Sequence, residues 1–553
     1  MPTVDIFIPT YNESENILRK TIAGAININY PKDLVTIYLC DDGRRENIKK
    51  ISDEFNINYL TRSDNEHAKA GNINNAIKNS KSELFVILDA DMIAKEDFLL
   101  KTIPYFIEEK VGFVQTPQVF YNPDPFQYNL YFNENIPNEQ DFFMRDIQQG
   151  RARHNAVLHV GTNAVFRRQA IMEIGGIPTG TITEDMATGM LLQSKGYEGI
   201  FLNEVLVLGL SVETFSDLVK QRERWCRGNI QVVKKWNPLT LKGLNFFQRL
   251  LYMDGFVYWF FGVQKMIYIL CPLVYLIFGI VILEAKALDI FYIFTPSLVA
   301  SILTFRCLVK KERTLTWSHI YETAMAPYLG LAALMELIFA RPIPFKVTPK
   351  GVQTNKVYMS WNVVIPQIIL LILSIIGWSV AINRNISNSN YINSLMINVV
   401  WSVYNVIGII MSIFVCIERP RFRTSERFTF SDEVIVKLKD GTSSKCKIID
   451  ISSEGFLMLC NKEEINVKEL DKIIDLRINT LNIEAMGEIK WINESQNKAG
   501  VKLIINDLTT YRAIIKYIFK SYEGYYNTNN SKSSFLKALK EVVRSIFTNI
   551  KAK

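Results

Sequence analysis

Gln221-Arg222-Glu223-Arg224-Trp225 lies on an amphipathic run from Glu213 to Val233, directly before the chain turns apolar. A helix there brings Gln221, Arg224 and Trp225 to one side, because residues three and four apart are neighbours on a helix. That face offers a flat apolar platform, a bidentate donor to anions and an amide partner for hydroxyls. Such a set suits a sugar beside a diphosphate. The same residues also make an ordinary charged face with one core Trp, so the rest of the chain has to decide between the two readings.

A chain of 553 residues exceeds one hydrophobic core and implies two or three domains. The hydrophobic share of 48% and the 33 Phe are high for a soluble protein, and the excess is concentrated between residues 256 and 417. The net charge of +8 is dispersed, with no basic block of the kind that grips a nucleic-acid polymer; it fits membrane-surface and phosphate affinity. Seven cysteines, Cys40, Cys226, Cys271, Cys307, Cys416, Cys446 and Cys460, form no CxxC pair, and reduced thiols in a cytosolic setting are expected. Met1-Pro2-Thr3 leads at once into strand-like Val4-Asp5-Ile6-Phe7-Ile8, without a cleavable signal peptide.

Residues 1–116 alternate short apolar runs with helical periods: strands are expected at 4–9, 34–40 and 84–88 and helices at about 14–28, 71–79 and 96–107. That is the rhythm of a parallel sheet, whose active sites lie beyond the carboxyl ends of the strands. The polar residues fall there: Thr10-Tyr11-Asn12-Glu13, Asp41-Asp42-Gly43 and Asp89-Ala90-Asp91, with Lys69 in His67-Ala68-Lys69-Ala70-Gly71 at the amino end of a helix. Asp89 and Asp91 flank one small residue and present two hard oxygen ligands for Mg²⁺ or Mn²⁺, or else form a solvated turn. Thr183-Glu184-Asp185 opens a helix to about Ser194, with Thr183 a natural N-cap and the acids suited to the helix dipole.

The ordered set Asp42, Asp89-Ala90-Asp91, Thr183-Glu184-Asp185 and Gln221 to Trp225, followed by apolar helices, resembles the processive family 2 glycosyltransferases, most closely the bacterial cellulose synthase catalytic subunits. The resemblance covers nearly the whole chain. It implies a GT-A type α/β nucleotide-diphospho-sugar transferase domain over 1–235 and UDP-glucose as donor for a growing β-glucan. Tyr11, Asp42, Lys69 and Asp89 would contact the UDP moiety, and Asp91 with Asp89 would hold the metal. Asp185, beside Glu184, would be the general base, and Gln221, Arg224 and Trp225 would meet the acceptor and pyrophosphate. One departure stands out: where the family carries Phe-Phe-Cys-Gly-Ser, this chain has Leu158-His159-Val160-Gly161-Thr162, which leaves a mixed-linkage β-glucan open beside cellulose.

Residues 236–417 read as a membrane region. Leu241 to Trp259 is expected to lie in the interface, and spans are expected at about 263–283, 289–309, 361–382 and 392–417, each near the length a bilayer core needs. Ser318 to Ala340, interrupted by Glu322, Pro327 and Glu336, reads as a second interfacial helix. Lys310, Lys311 and Arg313 follow the second span and Arg419, Arg421 and Arg423 the fourth, so the sugar domain and both basic ends are expected on the cytoplasmic side of the cell membrane. Phe345-Lys346-Val347-Thr348-Pro349-Lys350-Gly351, within 341–355, resembles the family's gating loop, in which Thr348 would touch the nucleotide sugar. The family has further membrane helices before the first strand, so the resemblance implies that Met1 is not the native start or that other chains, an accessory subunit or further copies, complete the pore.

After Ile417, short alternating strands between Gly and Asn turns read as a small β-barrel over 418–525. Arg423-Thr424-Ser425-Glu426-Arg427 and Asp450-Ile451-Ser452-Ser453-Glu454-Gly455 together resemble the PilZ domain, which implies cyclic di-GMP as allosteric activator held by Arg423, Arg427, Asp450, Ser452 and Gly455. Arginines suit its phosphates and guanine faces. The resemblance also gives Glu213 a regulatory role, a resting-state latch with Arg423 as its expected partner. Residues 526–553 are expected to form an amphipathic basic helix, apolar at Leu536, Leu539, Val543 and Ile546. Two other functions remain open: a hyaluronan- or chitin-like synthase, and an inactive transferase domain serving as a cyclic di-GMP receptor.

Overall fold

The computed structural model describes residues 1–132, 136–282, 287–309, 313–339, 351, 355–384, 389–423, 425–437, 443–461, 467–478, 483–520, 522 and 540. The gating-loop residue Thr348 and the expected helix at 526–553, apart from residue 540, lie outside them.

The amino-terminal part is built on a seven-stranded sheet in the order β3-β2-β1-β4-β8-β6-β9, from β1 (Val4–Thr10), β2 (Val35–Asp41), β3 (Asn58–Leu60), β4 (Leu84–Ile87), β6 (Val111–Gln115), β8 (Ala164–Arg167) and β9 (Glu198–Phe201). β1 pairs in parallel with β2 and β4, and all seven of its residues are buried, as an apolar strand covered on both faces requires. β8 runs antiparallel between β4 and β6. A second sheet, β5-β10-β7, joins β5 (Met92–Ala94), β10 (Val207–Gly209) and β7 (Val119–Phe120). The first sheet presents Thr10, Asp41 and, just past Ile87, Asp89 at one edge, and the second continues from Asp91. The helices Glu15–Ile26, Ala68–Lys78, Glu184–Ser194 and Phe215–Lys235 fall where the sequence pattern places them, within a few residues.

Helix Phe246–Tyr258 starts on a capping box at Asn245 and Gln248 and leaves Phe246, Phe247, Leu250, Val257 and Tyr258 exposed, the outward apolar face expected of an interfacial helix. Among the described residues, five helices are long and apolar enough to cross a membrane, where the sequence reading counted four. Four of them, Phe261–Phe278, Ala287–Leu308, Trp361–Asn383 and Ser389–Val415, match the expected spans. The fifth is Leu315–Phe339, the stretch read as interfacial. Its acids, which lowered its apolarity, are answered by neighbours: Glu322 lies 3.9 Å from Lys265, while Glu336 accepts from Gln231 Nε2 at 3.1 Å and lies 3.8 Å from Arg227. This helix packs along Phe215–Lys235, so the apolar bundle and the helix that carries Gln221 to Trp225 share one core.

Short strands β11 (Tyr358–Met359) and β12 (Ile417–Glu418) pair antiparallel where the bundle gives way to the carboxyl-terminal part. There β13 (Phe428–Lys437), β14 (Ser443–Ser452), β15 (Gly455–Cys460), β16 (Ile473–Ile478), β17 (Ile483–Asn493) and β18 (Lys498–Ile504) close into a barrel, followed by helix Leu508–Lys520. The barrel is not a satellite. Phe428 and Phe519 pack against Tyr121 of the transferase part, and Glu96 pairs with Lys516 at 2.6 Å and Lys520 at 2.7 Å. Within the barrel, a disulfide joins Cys446 and Cys460, correcting the expectation of reduced thiols at these two positions. The residues stand directly opposite each other on β14 and β15, a pairing set by strand register and invisible in the cysteine spacing.

Candidate active site

The site gathers on Gly161. Lys69, one residue inside helix Ala68–Lys78, makes an ion pair with Asp89 and donates to the carbonyl oxygen of Gly161 at 2.8 Å. The main-chain N–H of Asp89 donates to Thr162 Oγ1 at 2.9 Å. Gly161 has φ +88°, and a Cβ there would lie 3.2 Å from Asp185 Oδ2 and 3.5 Å from Lys69 Nζ, so glycine serves both the backbone and the space. Asp89, Lys69 and Asp185, far apart in sequence, therefore meet around one peptide. The divergent stretch at 158–162 does the gathering. Its buried His159 is seated by Gln115, whose Oε1 lies 2.9 Å from Nδ1, and burial holds the imidazole pKa well below the ordinary value, so the ring is neutral.

Thr183 occupies the N-cap position of Glu184–Ser194, but its side chain makes no capping hydrogen bond, which corrects the expectation drawn from its type. The hydroxyl is instead pressed against the Trp225 helix. A Cβ on Gly228 would lie 2.5 Å from Thr183 Cγ2 and 2.7 Å from Oγ1, so only a glycine lets the two helices approach this closely. One helical turn before that contact stands Arg224, whose guanidinium feels Glu184, Asp185 and Asp89 together. Arg222, which the sequence reading passed over, is buried, paired with Glu139, and stacked 4.1 Å over the Trp225 ring. Burial lowers its pKa to about 9. It orients the indole; nothing local marks it, because Glu139 lies on a distant loop.

Burial raises the carboxyl pKa values of Glu184 and Asp185, Glu184 being pushed further by Asp185, while Lys69 and Arg224 pull both back. Burial works against the Lys69 ammonium, but Asp89, Glu184 and Asp185 outweigh it and hold the pKa above that of an ordinary lysine. Two acids in a half-buried site, one raised toward neutrality beside two cations, are the surroundings in which a carboxylate takes a proton from a hydroxyl.

Tyr11 is exposed at the lip, and its N–H donates to Glu13 Oε2 at 2.8 Å. Asp42 is held fork to fork by Arg62, at 2.7 and 2.6 Å, and the neighbouring Asp41 accepts from Tyr59 and Arg45. Arg62 was not foreseen; it fixes Asp42 and also donates to the carbonyls of Glu66 and Ala68, shaping the turn before Lys69. Among the described residues no group of three or more His, Cys, Asp or Glu side chains could hold a metal ion. Asp89 and Asp91 are the two carboxylates expected to serve Mg²⁺ or Mn²⁺, a kind of cation that commonly takes one or two carboxylates and fills its remaining positions from substrate phosphates and water.

In the barrel, Arg427 pairs with Asp450 at 2.9 Å, and Ser452 Oγ donates to the carbonyl of Gly455 at 3.0 Å. Arg423, ahead of the first barrel strand, completes the expected set. Glu213 is buried just before the Trp225 helix, and its carbonyl oxygen accepts from Arg421 Nη2 at 3.1 Å. Arg421 thus reaches Glu213 through its main chain, two residues from Arg423, the expected latch partner.

Two family models match: glycosyl transferase family group 2 over residues 84–308 and the PilZ domain over 421–520. The cellulose synthase 1 catalytic subunit [UDP-forming] of Komagataeibacter xylinus is 33% identical over 551 residues, 99% of this chain and 74% of the relative. The chain belongs to the family of cellulose synthase catalytic subunits. The corresponding subunits of Pseudomonas fluorescens (strain SBW25) and Xanthomonas axonopodis pv. citri (strain 306) are each 35% identical, over 86% and 84% of this chain, and the chain spans 64% of the length of each. Asp89, Glu184, Asp185 and the Gln221 to Trp225 stretch lie within the matched glycosyl transferase span, and the barrel lies within the matched PilZ domain.

Proposed function

We propose that the chain polymerises glucose from UDP-glucose into a β-1,4-glucan, passes it through the membrane, and is switched on by cyclic di-GMP. The observation that carries this is the meeting of Lys69, Asp89 and Asp185 around Gly161, with Arg224 facing the same acids. Asp185 takes the proton of the acceptor hydroxyl while that oxygen forms its bond to the anomeric carbon. The bond from that carbon to the phosphate oxygen breaks, and UDP leaves with the electron pair, inverting the centre. Arg224 and Lys69 face the departing charge, Tyr11, Asp42 and Asp89 hold the nucleotide, and Gln221 and Trp225 seat the glucan end. Asp89 and Asp91 would hold a divalent cation, which when bound would supply neutralising charge for the diphosphate. Thr348 closes over the donor and expels water.

Arg423, Arg427, Asp450, Ser452 and Gly455 bind cyclic di-GMP on the cytoplasmic side, and Glu213 belongs to the latch it releases. If so, Glu213→Ala synthesises polymer without the dinucleotide, whereas Arg427→Ala binds none and stays off; full dependence in Glu213→Ala would remove the latch. The deciding experiment is incorporation of labelled sugar from several UDP-sugars, with and without cyclic di-GMP, followed by linkage-specific glucanase digestion. Product from UDP-glucose that resists a β-1,4-glucanase sinks the cellulose reading. Because residues 158–162 seat both Lys69 and Asp89, a product cut only by a mixed-linkage enzyme would trace to that stretch.

A further inference from the structure

The strap 418–423 joins the last apolar helix to the barrel arginines, and its first residue is a buried carboxylate that the transfer chemistry does not use. Glu418 Oε1 accepts from the main-chain N–H of Phe215 at 2.7 Å and from Ser360 Oγ at 3.2 Å, and Oε2 accepts from Asn129 Nδ2 at 2.9 Å. Each donor belongs to a different element. Phe215 opens the helix that carries Gln221, Arg224 and Trp225, so the carboxylate sits at the positive end of its dipole. Ser360 is the N-cap of Trp361–Asn383 and lies just past the segment expected to form the gating loop. Asn129 closes helix Pro125–Asn129 and also donates to the carbonyl of Val415 at 2.8 Å.

The strap beyond Glu418 is gripped as well. Arg419 donates to the carbonyl of Tyr128 at 2.6 Å and lies 3.5 Å over the Tyr131 ring; Tyr128 Oη donates to the carbonyl of Pro420 at 2.7 Å; Arg421 lies 3.9 Å over the Tyr128 ring. Arg423 is at most ~18 Å of extended chain from Glu418, so a shift of the arginine segment has little slack to absorb it before it reaches the carboxylate. We propose that Glu418 is a positioning residue, the fulcrum through which movement of the arginines ahead of the barrel, Arg423 and Arg427, is delivered to the Trp225 helix and to the helix that Ser360 caps. This rests on the cyclic di-GMP reading above. Removing the carboxylate leaves three donors without this acceptor in a buried junction, whereas an amide keeps one accepting oxygen but turns an N–H toward a donor.

The test uses the full chain in lipid nanodiscs, with wild type, Glu418→Ala, Glu418→Gln and Ser360→Ala. Equilibrium dialysis of labelled cyclic di-GMP gives its Kd, and polymer synthesis over a range of cyclic di-GMP and UDP-glucose gives the stimulated-to-basal ratio, kcat and KM. Glu418→Ala is expected to bind cyclic di-GMP within about twofold of wild type and to keep its KM, while the stimulated-to-basal ratio falls about tenfold, a loss within the usual range of coupling between sites. Glu418→Gln and Ser360→Ala should fall between it and wild type. An unchanged ratio overturns the proposal, as does a parallel fall of basal and stimulated rates, which is what a merely structural carboxylate would give. If Glu418→Ala does not fold, the two milder variants decide by the same ratio. Wild type that binds cyclic di-GMP without being stimulated refutes the regulatory reading, and the fulcrum with it.

Discussion

Gly228→Ala adds one methyl at the contact that brings the Trp225 helix to Thr183. The new Cβ would lie 2.5 Å from Thr183 Cγ2, 2.7 Å from Oγ1 and 2.9 Å from the main-chain nitrogen. Carbon atoms rest about 3.5 Å apart, so the helix must retreat by about 1 Å, and Arg224, one turn away, retreats with it from Glu184, Asp185 and Asp89. A misplacement of about 1 Å at a reacting centre costs about 10²-fold in rate. Stability should hardly report it: exchanging Gly for Ala inside a helix gains about 1 kcal/mol, against about 1–3 kcal/mol for overpacking. The expected signature is polymer synthesis down about a hundredfold with a melting temperature within a few degrees of wild type. Thr183→Ser removes the nearest atom, so the double variant should regain part of the loss. Synthesis in Gly228→Ala at more than about a third of wild type would refute the idea that this approach sets the site.

Asp185→Asn should retain UDP binding and lose about 10²–10⁴ in polymer formation, the usual weight of general base catalysis; turnover like wild type by radiolabel would remove Asp185 from that role. Asp91→Ala should weaken UDP binding in Mg²⁺ or Mn²⁺ and leave it unchanged in chelator, because the carboxylate acts through the cation; equal loss in both, measured by calorimetry, would show direct contact. Asp124 caps helix Pro125–Asn129, accepting from the N–H of Gln127 at 2.9 Å, and burial pushes its pKa up to about 7. The folded state then keeps a proton that the unfolded chain has lost, so this group's contribution makes stability fall as pH rises from about 4 to about 7. Melting curves of wild type and Asp124→Asn should differ in slope over that window and run parallel above it.

Legibility followed the range of the interactions. The strand ends, the Asp89-Ala90-Asp91 turn and the sided helix at 221–225 are local patterns, and each was readable from residue type and spacing. Arg62 at Asp42, Arg222 at Glu139 and Glu418 at Phe215 join residues whose separation nothing local specifies, and none was foreseen. Thr183 misled because its type satisfies a cap, while its surroundings offer it Gly228 instead. Helix Leu315–Phe339 was judged on Glu322, Pro327 and Glu336, and the partners that answer the two acids lie on other helices. The cross-strand bond between Cys446 and Cys460 depended on a register that spacing could not give.

The packing of the barrel and its trailing helix onto the transferase part has a consequence for how the molecule is made. Asn27 donates to the carbonyl of Arg512, a hydrogen bond that spans 485 residues, and Tyr121 awaits Phe428 and Phe519 to cover it. A ribosome that has delivered β1 must therefore deliver every apolar helix before the surface beside β7 is closed. Until then the early domain carries an open apolar face through about a minute of synthesis, an interval in which a holding chaperone has a surface to grip. Completion of the transferase half is tied to the arrival of the PilZ domain, so a chain truncated before the barrel is left with its transferase part unfinished.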